Sequence, residues 1–187
     1  MDVDRVSAAF AAVPREWFLP AGSRDRATYD GPIEIGHGQT NSQPRTVEAM
    51  LRLLDVRPGD RVLDLGSGSG WTTGLLAHLV GPGGSVRGVE LEPDLVALGR
   101  AHLTKGHWPW AGIQEATPGV LGDPEGAPYD RILVSAEARS LPTDLVAQLG
   151  GEARMVLPVA GEMVLIEQAD GAVRVSRHGP YRFVPLR

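Results

Sequence analysis

From Arg61 onward, short apolar runs alternate with stretches whose apolar residues recur at helical spacing. This βαβα alternation predicts a parallel sheet covered on both faces. The first strand is expected at Arg61–Leu65, with a helix over Trp71–Val80 behind it. After the Gly81-Pro82-Gly83-Gly84 turn come a second strand, Ser85–Leu91, and a helix over Pro93–Leu103. Leu95, Leu98, Ala101 and His102 fall on one side of that helix. Ile113 marks a weak third strand and Tyr129–Ser135 a strong fourth; Pro142–Leu149 reads as another helix and Arg154–Val159 as a fifth strand. The pattern then changes. Met163–Gln168 and Ala172–Ser176 flank Asp170-Gly171, a pair suited to a two-residue antiparallel hairpin, and Tyr181–Leu186 is a candidate last strand. The expected fold is α/β, a Rossmann-like, doubly wound, mostly parallel sheet with antiparallel C-terminal strands.

Ahead of the sheet, a short helix around Val6–Ala12 precedes an irregular stretch rich in Gly and Pro from Pro20 to Pro44. Such a stretch is too long for a plain connector, so it is expected to fold over the carboxyl edge of the sheet. Pro44 suits the first turn of a helix whose Val47, Met50, Leu51 and Leu54 repeat at core spacing. A chain of 187 residues with 42% hydrophobic side chains buries one substantial core. One domain is therefore expected, with a leader over residues 1–45 and a Rossmann-like core over 46–187.

Composition narrows the function. No apolar run approaches bilayer length, and the N-terminus, with Asp2, Asp4 and Arg5, lacks the order of a secretion signal. A cytoplasmic chain off the membrane is expected. Cysteine is absent, which excludes disulfide scaffolds, thiolate zinc sites and cysteine nucleophiles. The net charge of -5 is spread over interspersed acids and bases, with no basic stripe for a phosphate backbone, so nucleic acid is not an expected partner. Oligomeric state is not legible.

Val62-Leu63-Asp64-Leu65-Gly66-Ser67-Gly68-Ser69-Gly70 is a strand running into a glycine-rich turn before a helix. Glycines let backbone turn sharply and approach a ligand closely, and open α/β sheets bind ligands at the carboxyl ends of such strands. The spacing is not the dinucleotide fingerprint G-x-G-x-x-G, because Trp71 stands where its third glycine belongs. Glu90 ends the second strand 20 residues after Gly70, where a carboxylate accepts from both hydroxyls of a ribose diol. That mark identifies a nucleoside without choosing between cofactors. Asp64, two residues before the first glycine, resembles the acid of methyltransferase motif I, which implies a role in holding the cofactor's amino acid portion through its ammonium group and bound water.

Two upstream segments carry a wider likeness. Val13-Pro14-Arg15-Glu16-Trp17-Phe18-Leu19-Pro20 and Ile35-Gly36-His37-Gly38-Gln39-Thr40-Asn41-Ser42-Gln43-Pro44 are joined by Ala127-Pro128-Tyr129-Asp130-Arg131-Ile132, Val134-Ser135-Ala136 and Phe183-Val184-Pro185-Leu186 in the same order downstream. Together they resemble the protein-L-isoaspartate (D-aspartate) O-methyltransferase family over nearly the whole chain. The likeness implies a class I fold, S-adenosyl-L-methionine as cofactor, isoaspartyl-containing peptides and proteins as partners, and a role in protein repair. The leader would then supply the substrate loop. Departures are Asn41 where an apolar residue is usual, Gln114-Glu115-Ala116 where the family has Gly-Asp-Gly, and a short tail.

The implied chemistry is methyl transfer to the free α-carboxylate of an isoaspartyl residue. A group of that kind, with an ordinary pKa of about 3.5, is ionised at neutral pH and needs no general base. By resemblance, Ser42 hydrogen-bonds the attacking carboxylate, and Gln39 and Thr40 shape the pocket beside it. Read from the residues alone, Ser42 before Pro44 is as well suited to capping a helix. Asp64, Gly66, Ser67, Gly68, Gly70, Glu90 and Leu91 are the candidate cofactor contacts, Glu115 the candidate adenine contact, and Ser135 and Ala136 further substrate contacts. Gln114 is a second adenine candidate. His37 has no neighbour at metal-ligand spacing, and no metal is expected. Trp108-Pro109-Trp110 reads as cover for a helix-to-strand loop. Other readings are a same-fold methyltransferase acting on a different carboxylate, a noncatalytic homologue that keeps the cofactor pocket, and a NAD-dependent oxidoreductase.

Overall fold

The computed structural model describes residues 4–187, so Asp2 of the N-terminal pattern lies outside the described residues. Helix α1 (Arg5–Ala12) starts where the Asp4 carboxylate accepts from the backbone N–H groups of Val6 and Ser7. Two short 3₁₀ turns follow, Arg15–Phe18 and Ala21–Arg26. Strands β1 (Ile33–Gly36) and β2 (Gln39–Asn41) then pair antiparallel. The stretch read as irregular from Pro20 to Pro44 is thus partly ordered. Ile33 and Ile35 alternate inward, and Gly36, His37 and Gly38 all take positive φ to reverse the chain. Helix α2 (Pro44–Leu54) opens with Pro44 in its first turn and buries Val47, Met50, Leu51 and Leu54, as their spacing predicts.

The remaining elements are β3 (Arg61–Leu65), α3 (Trp71–Val80), β4 (Ser85–Glu90), α4 (Pro93–Leu103), β5 (Ala111–Glu115), β6 (Tyr129–Val134), α5 (Thr143–Val146), β7 (Leu149–Val159), β8 (Glu162–Ala169) and β9 (Ala172–Pro180). The sheet runs β5-β4-β3-β6-β7-β8-β9. Its first five strands are parallel, and β8 and β9 are antiparallel additions, which is the expected doubly wound architecture. Asp170 and Gly171 both adopt positive φ between paired Ala169 and Ala172, so the hairpin forms where their sequence places it. Side chains alternate across β3: Val62 joins one apolar cluster, with α2 and α3, and Leu63 and Leu65 join the other. The second cluster is roofed by α5 and by the long connection that contributes Leu121 and Ala127. Among the described residues no helix is long and apolar enough to cross a membrane.

Three expected elements differ. In α4 the buried set is Leu95, Val96, Gly99, His102 and Leu103, while Ala101 faces out. Gly99 causes this rotation: a Cβ there would lie 2.6 Å from the Ile113 side chain and 3.2 Å from the Gly68 carbonyl, so α4 docks through its bare backbone. The helix expected over Pro142–Leu149 shrinks to Thr143–Val146, because Leu149 already pairs with Tyr129 as the start of β7. Finally, Tyr181–Leu186 is no strand. Pairing of β9 with β8 ends at Pro180, and the tail instead crosses to the loop after β6, where Glu137 N donates to Val184 O (2.7 Å) and Leu186 N to Glu137 O (2.8 Å).

Candidate active site

Strand β3 is flanked by β4 and β6, so the chain winds outward in opposite directions on its two sides, and a crevice opens at the carboxyl ends of these strands. A cavity of about 370 Å³ occupies that edge. The leader hairpin, the glycine turn, the end of β4 and the tail all contribute walls.

The glycine turn is held from below. Gly66 N and Ser67 N both donate to the Val89 carbonyl, at 2.9 and 3.2 Å. Gly66, Gly68 and Gly70 have φ of 79°, 53° and 92°, a region costly for residues with a Cβ. Glu90, only 7% exposed, is fixed at the neck of the turn. Its Oε2 accepts from Gly68 N (2.8 Å), and its Oε1 accepts from Leu91 N (2.8 Å) and Glu92 N (3.0 Å). Three backbone donors stabilise the buried carboxylate, and it keeps acceptor capacity for hydroxyls entering the cavity.

Asp64 lies behind the turn, fully buried. Its Oδ2 accepts from the hydroxyls of Thr72 (2.7 Å) and Thr73 (2.6 Å) on α3, while Oδ1 has no protein partner. Burial pushes its carboxyl up from 3.8 to about 6, the threonine hydroxyls pull it down and the nearby Glu90 charge adds to the rise. Among the described residues, the Ser67 hydroxyl is the second buried side-chain group without a protein partner. Orphaned atoms of this kind are uncommon and mark a place where a polar ligand group or water belongs.

The structure brings most of the sequence candidates to one cavity. Gly66, Ser67, Gly68, Glu90 and Leu91 line it from the sheet side. Gln39, Thr40 and Ser42 line it from the leader, and Ser135 and Ala136 from the end of β6, where Ser135 N donates to Leu65 O (2.9 Å). Gln43, not Ser42, is the N-terminal flanking residue of α2 and makes no side-chain cap; the Asp30 carboxylate instead accepts from Arg45 N (3.1 Å) in the first turn. Four candidates do not line the cavity: Asp64 lies buried behind the turn, and Gly70, Gln114 and Glu115 sit elsewhere. Gly70 packs beneath the turn, where a Cβ would meet Gly99 O at 3.2 Å. Glu115 is exposed at the end of β5, and Ala116 lies on the cavity wall in its place. Ala116 follows the last residue of β5 and donates its N–H to Glu90 O (2.8 Å), which brings it to the carboxyl edge of the sheet. Gln114 is directed to Asp123 Oδ1 (3.4 Å) and away from the cavity.

Sequence reasoning missed several wall residues. Leu121 and Gly122 line the cavity, and Gln148 anchors them by donating to Leu121 O (2.8 Å) and accepting from Asp123 N (2.9 Å). The tail residues Arg182–Arg187 also line it. No local motif marks Leu121 and Gly122, and Phe183-Val184-Pro185-Leu186 stands in the sequence only as part of the family likeness; long-range packing delivers both segments to the wall. Trp71 does not block the crevice: its indole donates to Val13 O (3.3 Å) and meets the Phe10 ring edge-on at 5.5 Å. Trp108 and Trp110 pack on the core, and the Trp110 indole donates to Ala77 O (2.9 Å). His37 faces Asp94 at 3.1 Å, and among the described residues no group of three metal-ligating side chains occurs.

Comparison with known proteins agrees with this geometry. The model of the protein-L-isoaspartate(D-aspartate) O-methyltransferase family matches residues 1–187. A protein-L-isoaspartate O-methyltransferase of Methanopyrus kandleri is 44% identical over 188 residues, covering 98% of this chain and 83% of the relative. One from Aeropyrum pernix is 45% identical, covering 97% and 72%. Among solved structures, a Plasmodium falciparum protein-L-isoaspartate O-methyltransferase in complex with S-adenosyl-L-homocysteine superposes with a TM-score of 0.85 at 27% identity, over 100% of this chain and 92% of that one. Matched from end to end, with its signature segment and its glycine turn facing one cavity, the chain belongs to the protein-L-isoaspartate(D-aspartate) O-methyltransferase family.

Proposed function

We propose that this chain is an S-adenosyl-L-methionine-dependent methyltransferase that esterifies the α-carboxylate of L-isoaspartyl residues in damaged proteins, a repair reaction. One observation carries the reading. The Gln39–Ser42 segment, far from the sheet's glycine turn in sequence, lines the same cavity as Ser67, Gly68 and Glu90. Family membership and the neighbour's complex with S-adenosyl-L-homocysteine support the cofactor assignment.

The residues fit that cofactor. The unpartnered Asp64 Oδ1 suits an ammonium group reached directly or through water, and Glu90 suits a ribose diol. The apolar surfaces of Leu91, Ala116, Val120 and Leu121 suit a purine. When bound, the cofactor supplies an electrophilic methyl group on a sulfonium. The protein's own work is positioning. Ser42 is free of capping duty and is placed to donate its hydroxyl to an acceptor carboxylate, with Gln39, Thr40, Ser135 and Ala136 as its surroundings. A carboxylate already ionised at neutral pH needs no proton removed. Alignment of reacting groups then supplies most of the rate, up to roughly 7–11 kcal/mol in the best intramolecular models. Leader and tail walls narrow the access of water to the site.

Residues 1–187 are read as one methyltransferase domain, 1–45 forming the leader helix and substrate loop and 46–187 the Rossmann-like core. Burial of Ala9, Val13 and Phe18 in the same cluster as Val62 and Leu75 supports this. A cytoplasmic location and the expectation that nucleic acid is not a partner belong to the same proposal. The test is methyl transfer from labelled S-adenosyl-L-methionine to an isoaspartyl peptide and to its normal aspartyl twin. Base-labile methyl ester on the isoaspartyl peptide alone is the expected result. Equal labelling of the twins, or none, refutes the proposal.

A further inference from the structure

Asn41 stands where the family resemblance leads one to expect an apolar residue, yet it is only 4% exposed. A buried amide lacking partners is destabilising by roughly 1–3 kcal/mol per unmatched group, so its contacts carry information. Its Oδ1 accepts from Arg15 Nε at 2.7 Å, and its Nδ2 donates to Ser69 Oγ at 3.3 Å. Arg15, itself 6% exposed, also donates to the carbonyls of Tyr29 (2.7 Å), Gly31 (2.8 Å), Asn41 (3.1 Å) and Ser42 (2.9 Å). One guanidinium therefore gathers the backbone at the two ends of the β1–β2 hairpin, and its planar fork holds several acceptors at fixed angles. It also lies 5.3 Å over the Trp71 ring at the start of α3.

On the other side, Ser69 belongs to the glycine turn, and its carbonyl accepts from His102 Nδ1 at 3.0 Å, which ties it to α4. The hydrogen bonds run without a break from Ser42 O through Arg15 and Asn41 to Ser69. Both Asn41 and Ser69 line the cavity. The Asn41–Ser69 contact, at 3.3 Å, is the longest of these bonds and the one that crosses from the leader to the sheet.

We propose that Asn41 is a positioning residue that couples the substrate loop to the cofactor turn, so that a filled cofactor site raises affinity for the acceptor carboxylate. This rests on the function proposed above. An apolar residue at 41 would fill the space while leaving Arg15 Nε and Ser69 Oγ without the amide that joins them. The loop would then be gathered by Arg15 but no longer registered against the glycine turn. By linkage the coupling is reciprocal: the acceptor must strengthen cofactor binding by the same factor.

The test is calorimetry on the full chain, titrating an isoaspartyl peptide with and without saturating S-adenosyl-L-homocysteine, and the reverse. In the unsubstituted protein each ligand is expected to tighten the other by about 5- to 150-fold. Asn41→Leu and Ser69→Ala should each bring that factor to within about twofold of unity, and the double variant should go no further, the mark of one shared link. Asn41→Asp, able to accept from both Arg15 Nε and Ser69 Oγ, should restore it. In turnover, Asn41→Leu should raise the peptide KM far more than it lowers kcat. If Asn41→Leu fails to fold, Ser69→Ala reads the same link from the other side. Coupling that survives in Ser69→Ala, or that is absent from the unsubstituted protein while both ligands bind, overturns the relay alone. Failure of the unsubstituted protein to bind S-adenosyl-L-homocysteine overturns the proposed function and the relay together.

Discussion

Replacing Asp64 by Asn should separate what is good for the ligand from what is good for the empty fold. Burial lifts this carboxyl from 3.8 to about 6. At about 1.4 kcal/mol per pH unit, holding the charge in the ligand-free protein costs roughly 3 kcal/mol. Its sign follows from proton binding. Between pH 4 and pH 6 the folded protein keeps a proton that the unfolded chain has lost, so this group's contribution to stability falls as pH rises through that window and is fully adverse above it. The amide of the Asp64→Asn variant carries no charge, and the hydroxyls of Thr72 and Thr73 remain beside it as partners. At neutral pH the ligand-free variant should therefore melt several degrees higher than the parent, at about 2–4 °C per kcal/mol for a chain of this size. Near pH 4 the two should converge. Cofactor affinity should move the other way, because a charge-assisted hydrogen bond is worth about 1.5–3 kcal/mol, or roughly 10- to 150-fold in Kd. Thermal unfolding from pH 4 to 8 and calorimetry with S-adenosyl-L-homocysteine measure both. An Asp64→Asn variant that is less stable than the parent at pH 7 and binds the cofactor product equally well would refute the reasoning.

Three other substitutions probe the remaining assignments. Ser42→Ala should lower kcat by about 10- to 150-fold, the worth of one hydrogen bond to a charged group, while the Kd for S-adenosyl-L-homocysteine stays within about twofold; parallel loss of both would assign Ser42 to structure. Glu115→Ala should leave cofactor Kd within about twofold, as for an exposed substitution away from the ligand, and a tenfold loss would return Glu115 to the adenine site. Gln148→Leu strands Asp123 N and the carbonyls of Leu121 and Asp144. It should cost about 3 kcal/mol of stability and weaken cofactor binding through the loosened Gly122 wall, checked by urea unfolding and calorimetry; unchanged stability would contradict the anchoring role.

Local signals carry the sheet and the cofactor side of the site. Strand β3, the glycine turn and Glu90 lie within one βαβ unit, where sequence distance and spatial distance nearly coincide. The hairpin at Asp170-Gly171 is equally legible, because positive φ at two residues demands those residue types. Less is readable where packing overrides periodicity. The face of α4 is set by Gly99 meeting the glycine turn, a contact between backbones that leaves no apolar stripe in the sequence. Leu149 fits a helix by spacing, yet its pairing with Tyr129 claims it for β7. The cavity wall lies one residue beyond the sequence expectation, at Ala116 instead of Glu115, because β5 ends at Glu115 and Ala116 N is drawn to Glu90 O (2.8 Å) at the sheet's carboxyl edge. Arg15 stands in the sequence only as part of a motif, and its five hydrogen bonds, to residues in separate stretches, are joined only by the fold.

The proposed arrangement hangs a nucleoside cofactor between Asp64 and Glu90 and delivers an ionised acceptor carboxylate to it beside Ser42. A crystal structure with S-adenosyl-L-homocysteine and an isoaspartyl peptide tests this most directly. It should show both ribose hydroxyls on Glu90, the amino group linked to Asp64 and the peptide's free carboxylate within hydrogen-bond reach of the Ser42 hydroxyl. A ligand bound outside this cavity, or a carboxylate turned away from Ser42, would contradict it.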